Sequence, residues 1–176
     1  MSTPKVSFSD LEDAFISGSG YEHEWWLDKQ TGKVILINDE ARSYADGSWE
    51  VAKAPKWMGE MIEDAKSIMR AFGELPDEGD DAPVEWGRFV RIPGDDSHGA
   101  FEDMEEFIGT VKSDRVYDAL ARALRGSRPF RRFKDALGDY PRVEEQWYAF
   151  RDQRLRERIK EWAREEGVEI DFSGKH

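Results

Sequence analysis

The pattern of apolar and polar positions predicts a β-hairpin near the N-terminus. Residues 21–27 and 33–38 are two β-rich runs on either side of the segment DKQTG, in which Gly32 can take the positive φ of a tight turn. The second run contains four consecutive apolar residues, Val34 to Ile37, which is typical of a strand covered on both faces. We therefore expect this strand to be central in a small antiparallel sheet, with a third strand over residues 84–92.

Apolar residues at intervals of three and four predict helices elsewhere. Residues 7–17 indicate a short helix with Ser9 as its N-cap and Glu12 completing a capping box. Residues 39–55 lack a regular pattern, and residues 56–72 predict a helix with Trp57 on its apolar face. Four more helices are expected in the C-terminal half. The first starts at about residues 95–97, and the others cover residues 113 or 114 to 126, 128 to 137, and about 141 to 166. An edge strand within residues 166–172 follows the last helix.

The helix near residue 130 has its own boundary signals. Ser127 is the expected N-cap, with Pro129 in the first turn, and Gly138 follows the last apolar position. Phe130, Phe133 and Leu137 fall at helical spacing, so we expect all three to face the core.

The order of these elements predicts an α+β fold, with a small antiparallel sheet of about three strands in the N-terminal half and a mostly helical C-terminal half. A chain of 176 residues is most simply one domain. We therefore expect a single domain over 1–176, whose sheet-rich part covers about 7–93 and whose helical part covers about 95–172.

Composition limits the class of protein. The sequence has no cysteine, no apolar run long enough to span a bilayer, and no apolar segment of a secretory signal near its N-terminus. We expect a cytoplasmic protein that does not bind membranes. The net charge of −12 argues against non-specific binding to nucleic acids, which requires clustered cations.

The charge is unevenly distributed along the chain. Residues 1–112 carry a net charge of −14, whereas residues 113–176 carry +2. Six basic residues and no acid lie between residues 122 and 134: Arg122, Arg125, Arg128, Arg131, Arg132 and Lys134. Arginines in such a run either pair with acids of the N-terminal part or form a site for phosphate or carboxylate, which their planar donors recognise.

The long C-terminal helix carries further arginines. Arg151, Arg154 and Arg158 lie at i, i+3 and i+7 within its apolar sector, beside Trp147 and Trp162. Their side chains either cover apolar surface, reach buried acids, or line a groove. We expect a cleft between the sheet and the last two helices. Its predicted lining is Arg131, Arg132, Arg151, Arg154, Arg158, Trp147 and Tyr148.

An acidic segment supports an alternative. Asp77, Glu78, Asp80 and Asp81 lie in a Pro/Gly-rich loop that resembles a solvated linker or a mimic of nucleic-acid phosphates. The alternative interpretation is thus an acidic protein-interaction module that occupies a basic partner.

Catalytic and metal-binding signals are weak. His98 and Glu102 supply only two potential metal ligands, and Asp95 and Asp96 are ordinary helix caps. The sequence contains no phosphate-binding loop and no nucleophile or zinc-protease motif. We therefore expect no metal, no cofactor and no catalytic residues, and rank an enzyme with an unrecognised site third.

Several short motifs occur in a recognisable order. They are D-x-x-T-G (Asp28, Thr31, Gly32), F-x-x-I-P (Phe89, Ile92, Pro93), F-R-R-F-K-D (residues 130–135) and W-Y-x-F (Trp147, Tyr148, Phe150). In this order the chain resembles a bacterial family known as uncharacterised protein family 0158 over about residues 21–170. The resemblance implies no activity, cofactor or catalytic residue. Our expectation from the residues is a non-enzymatic binding or adaptor protein for an anionic group, with an unidentified ligand or protein partner.

Overall fold

The expected hairpin forms the centre of the N-terminal fold. The structure, a computed structural model, describes residues 3–18, 20, 22–75, 85–94 and 97–174. Strands β2 (His23–Asp28) and β3 (Lys33–Asn38) pair antiparallel, and β4 (Phe89–Arg91) pairs with the other edge of β2. The strand order is β3-β2-β4, so the predicted three-stranded antiparallel sheet is confirmed, but β2 rather than β3 is central. Within the apolar run of β3 only Ile35 and Ile37 are buried, which suits an edge strand with one covered face.

Two helices cover the buried face of this hairpin. They are α2 (Asp39–Ala45) and α3 (Gly59–Ala71), and Ile35, Ile37, Ile62 and Ile68 meet in one apolar core. The expectation of irregular structure over 39–55 is wrong for α2, because the Asn38 side chain accepts a hydrogen bond from the backbone N–H of Ala41 and begins the helix.

Two short 3₁₀ turns lie between these helices, at Val51–Lys53 and Lys56–Met58. The predicted helix over 56–72 thus begins only at Gly59. Trp57 is 70% exposed rather than on the apolar face, because it lies in the 3₁₀ turn and outside the helical period.

A second, two-stranded sheet joins the ends of the chain. Strand β1 (Lys5–Ser7) pairs in parallel with β5 (Glu169–Asp171). Helix α1 (Phe8–Ser17) follows β1, and its N-cap is Ser7 rather than the expected Ser9. Ser7 Oγ accepts a hydrogen bond from the N–H of Asp10 at 3.3 Å.

The C-terminal half is helical, as predicted. Its helices are α4 (Ser97–Thr110), α5 (Asp114–Arg125), α6 (Pro129–Gly138) and α7 (Pro141–Glu165). Phe107, Leu120, Phe133 and Leu137 share one apolar core with Trp147.

Details of α6 differ from the prediction. Its N-cap is Arg128, whose φ of 53° is left-handed, and no side chain caps the helix. Gly138 is the last helical residue rather than the one beyond it. Phe133 and Leu137 are buried as expected, but Phe130 is 38% exposed, because it lies in the first turn of the helix.

The described chain divides into two compact units. The first comprises residues 1–94 and 160–176, and the second comprises residues 95–159. The sheets and α1–α3 belong to the first unit, whereas α4, α5, α6 and most of α7 belong to the second.

Candidate functional site

Two of the predicted site residues meet a buried acid. Asp103, on α4, is 1% exposed. Arg154 Nε lies 3.3 Å from its Oδ1, and Arg158 Nη2 lies 2.5 Å from the same atom. Arg154 also pairs with Glu106 at 2.7 Å, and Arg158 donates to the carbonyl oxygen of Gly99 at 3.2 Å. These two arginines therefore neutralise a charge that would otherwise be buried alone.

Electrostatics agree with this pairing. The hydrogen bond to Asp103 raises the pKa of Arg154 above its ordinary value, against the opposing effect of burial, and the nearby Glu106 adds to the rise. The sequence leaves three possible roles for these arginines, and the structure shows the second of them: the guanidinium groups of Arg154 and Arg158 reach a buried carboxylate.

The aromatic residues of the predicted cleft have different environments. Trp147 is 4% exposed and packs edge-on against Phe107 and Phe133, with ring centroids 5.3 and 5.1 Å apart. Tyr148 is 41% exposed, and the Arg151 guanidinium lies 5.7 Å from its ring centroid. Trp147 thus belongs to the core, whereas Tyr148 and Arg151 form an exposed cation–π pair.

Arg131 and Arg132 take part in neither group. They belong to the run of cations at the end of α5 and the start of α6, and all six members are exposed. We call Arg122, Arg125, Arg128, Arg131, Arg132 and Lys134 the basic surface. Within the part of the chain that the structure describes, none of the six forms an ion pair, whereas Arg42 and Arg88 pair with Glu24 and Asp28.

The turn between α5 and α6 shapes the basic surface. The Arg132 side chain lies directly against Gly126, where a Cβ would clash with Nη1 of Arg132. A residue larger than glycine would therefore displace this guanidinium. Arg128 keeps its left-handed backbone although it precedes Pro129, a position that favours extended conformations.

The placement of these cations opposes helix stability. Arg128, Arg131 and Arg132 lie at the N-terminal end of α6, where the helix dipole is positive and favours anions. Arg122 and Arg125, in the last turn of α5, are where cations are favourable. Folding thus accounts for the α5 members of the surface but not for those of α6.

Two acids of the N-terminal part, Asp28 and Glu24, have partners within their own unit. Arg88 donates to both oxygens of the buried Asp28, at 3.1 Å each, and the N–H of Gln30 adds a third bond at 2.9 Å. Burial opposes the charge of Asp28, but hydrogen bonds from Arg88, Gln30 and Thr31 hold its pKa below the usual range. Glu24 likewise pairs with Arg42 at 2.7 Å, and its pKa is lowered, because hydrogen bonds from Arg42 and Trp26 outweigh the cost of burial.

Other predicted features lie outside the described residues. They are the loop acids Asp77, Glu78, Asp80 and Asp81, the caps Asp95 and Asp96, and the side chain of His98. Among the described residues, no group of three acidic or histidine side chains is arranged to hold a metal ion. No helix in the described ranges is both long enough and apolar enough to cross a membrane.

Sequence reasoning did not single out Asp103 or Gly126. Asp103 lies four residues before Phe107, so it falls on the apolar face of α4, and a carboxylate there signals a buried charge that needs a cation. At Gly126 the sequence indicates only the end of a helix, because the close approach of Arg132 to this glycine is a contact of the folded chain.

Comparison with known proteins bears on family rather than on activity. The UPF0158 protein PA5073 of Pseudomonas aeruginosa is 33% identical over 66 residues, which cover 38% of this chain and 43% of that protein. The match thus spans less than half the length of this relative. No solved structure matches the chain.

A family described as "Uncharacterised protein family (UPF0158)" matches residues 64–175. This range contains the F-x-x-I-P, F-R-R-F-K-D and W-Y-x-F motifs, whereas D-x-x-T-G precedes it. Because the match covers more than half of the sequence, the chain belongs to the uncharacterised family UPF0158.

Proposed function

We propose that this protein is a non-enzymatic binding protein that captures an anionic group of a ligand or partner on the basic surface of α5 and α6. The observation that carries the proposal is that six exposed cations lack ion-pair partners within the described chain, in a protein of net charge −12. The proposed contact does not use Arg154 and Arg158, since both pair with the buried Asp103.

Repulsion between like charges without ion-pair partners destabilises the folded state, so the stability of the fold does not explain why the cations cluster here. An anion at the start of α6 would relieve both the mutual repulsion and the unfavourable helix dipole. Exposed guanidinium groups also provide paired donors that match phosphate and carboxylate oxygens. Phe130, exposed between Arg128 and Arg131, adds an apolar contact that a base or an aromatic ring could cover.

The test measures binding of a fluorescein-labelled single-stranded oligonucleotide and of a labelled oligo-aspartate peptide by fluorescence anisotropy. These probes represent the phosphate and carboxylate sources of the anion. We expect at least one of them to bind, with an affinity that falls steeply as salt rises. The triple variant Arg125→Gln/Arg131→Gln/Lys134→Gln should lose about tenfold or more in affinity, since tenfold corresponds to about 1.4 kcal/mol.

A matched control removes three cations elsewhere. Lys56, Lys112 and Arg142 are exposed and have no ion pair within the described chain, so Lys56→Gln/Lys112→Gln/Arg142→Gln changes the net charge equally. The control should change affinity by about twofold or less, as expected for screened charges that are not part of the basic surface. Equal losses in both triple variants, or no binding of either probe at low salt, would refute the proposal.

A further inference from the structure

The first unit contains an open groove that the basic surface does not involve. It has a volume of about 720 Å³ and lies beside the β2–β3 hairpin. Trp25 and Leu36, which are cross-strand partners, contribute apolar surface, and Met61 of α3 adds to it. Side chains of this kind suit an aliphatic stem or a flat cation, because the face of a tryptophan ring attracts positive charge.

The polar lining of the groove is acidic. Glu22, Asp39 and Glu40 are exposed around it, His23 and Asn38 are half-buried, and no lysine or arginine is among the described residues that line it. None of the three carboxylates forms an ion pair within the described residues. Asp39 and Glu40 lie in the first turn of α2, where acids favour the helix, but Glu22 precedes the hairpin and has no such role.

We infer that this groove binds an arginine side chain presented by a basic peptide segment of a partner protein. A guanidinium group would stack on Trp25 and donate to the carboxylates, while its aliphatic stem would cover Leu36 and Met61. Arginine fits better than lysine, because its planar fork both stacks and pairs with two oxygens. The groove exceeds the size of one side chain, so it has room for neighbouring residues of the segment.

The inference does not depend on the proposed anion site, since no residue is shared between the two. The test uses fluorescence anisotropy of a fluorescein-labelled peptide in which three arginines alternate with glycines, at low salt. Its double variant is Glu22→Gln/Glu40→Gln, in which both side chains are exposed and keep their size. The matched control is Glu145→Gln/Glu165→Gln, which removes two exposed charges outside the groove.

We expect the groove variant to weaken peptide binding by about tenfold or more and the control by about twofold or less. The lysine version of the peptide should bind the wild type several-fold more weakly than the arginine version. The basic-surface variant Arg125→Gln/Arg131→Gln/Lys134→Gln should bind the peptide at least as well as the wild type, so failure of one site is distinguishable from failure of the other.

Three results would overturn the inference. Absence of peptide binding to the wild type would show that the groove takes no such segment. Equal weakening in the two double variants would assign binding to overall acidity. Competition by free arginine amide at the same concentration as the peptide would show that the groove recognises a small cation rather than a peptide segment.

Discussion

At the scale of single residues, two carboxylates of the described chain are buried. Asp28 and Asp103 are 4% and 1% exposed, and each is balanced by arginine. A buried carboxylate without a cation is costly, so each of these acids makes its arginine partners structural. Both sites offer an isosteric change to asparagine that removes charge without removing volume.

Asp28→Asn should lower the free energy of unfolding by about 1–3 kcal/mol at neutral pH, because Arg88 loses a charged acceptor. The folded pKa of Asp28 lies below its ordinary value, so this stabilisation is present above about pH 4 and is lost as the pH falls through the folded pKa. Urea unfolding of the wild type and the Asp28→Asn variant at pH 7 and pH 3 measures this difference in the free energy of unfolding. The difference between them should shrink at pH 3, and a constant difference would contradict the pairing.

Asp103→Asn should be more harmful, since it leaves Arg154 and Arg158 facing a neutral group at a buried position. We expect a loss of about 3 kcal/mol, typical of a broken buried pair. Glu106→Gln is the control, because Glu106 contacts the same Arg154 but its side chain is 56% exposed, and it should cost about 1 kcal/mol or less. Thermal unfolding followed by circular dichroism compares them, and equal losses would rule out the special role of Asp103.

At the scale of elements, the turn between β2 and β3 packs closely against strand β1. Gly32 has a φ of 78°, and a Cβ there would lie 2.5 Å from the carbonyl oxygen of Lys5, the first residue of β1. Gly47 has a similar φ of 82° but faces open space. Substitution of Gly47 therefore tests backbone strain alone, whereas substitution of Gly32 tests backbone strain together with a steric clash.

Gly47→Ala should cost about 1 kcal/mol from the left-handed conformation alone. Gly32→Ala should cost at least about 1 kcal/mol more, because the turn must also move away from β1. Chemical denaturation of both variants gives the difference directly. If the two losses were equal, the contact between this turn and β1 would not constrain the fold.

At the scale of the whole molecule, two groups of cations differ in their acidic partners. Arg88, Arg154 and Arg158 have acidic partners that are buried, whereas the basic surface is exposed and has no ion pair within the described chain. We expect the first group to contribute to stability, whereas the second is the proposed binding surface. The net charge of −12 conceals this division, because acids elsewhere outnumber the cations.

Arg131→Gln/Lys134→Gln should leave the free energy of unfolding unchanged within about 0.5 kcal/mol, as for surface substitutions away from specific contacts. Arg154→Gln should lower it by about 1–3 kcal/mol, since Asp103 loses one of its two cations. Parallel denaturant titrations test the contrast. A large loss in the first variant would mean that the basic surface is required for folding.

The predictable parts of the fold depend on local patterns. The β2–β3 hairpin, α5 and α7 follow from turn residues and apolar periodicity, which act between neighbours in sequence. Strand β4 is shorter than the apolar pattern that predicts it. Helix α2 begins where the Asn38 side chain accepts a hydrogen bond from the N–H of Ala41, and no apolar periodicity in the sequence indicates this helix. The N-caps at Ser7 and Arg128 were missed for the same reason, since several nearby residues could have capped each helix.

The candidate site shows the same boundary between local and distant interactions. The sequence by itself determined that cations cluster between residues 122 and 134, that an acidic protein carries them, and that Phe133 and Leu137 anchor α6. Only the tertiary structure decided that Asp103 takes Arg154 and Arg158, that Trp147 is buried, and that Glu22 lines a groove with Asp39 and Glu40. The physical reason is that a charge pattern records how many partners exist, whereas pairing depends on which side chains the fold brings within a few ångströms of one another.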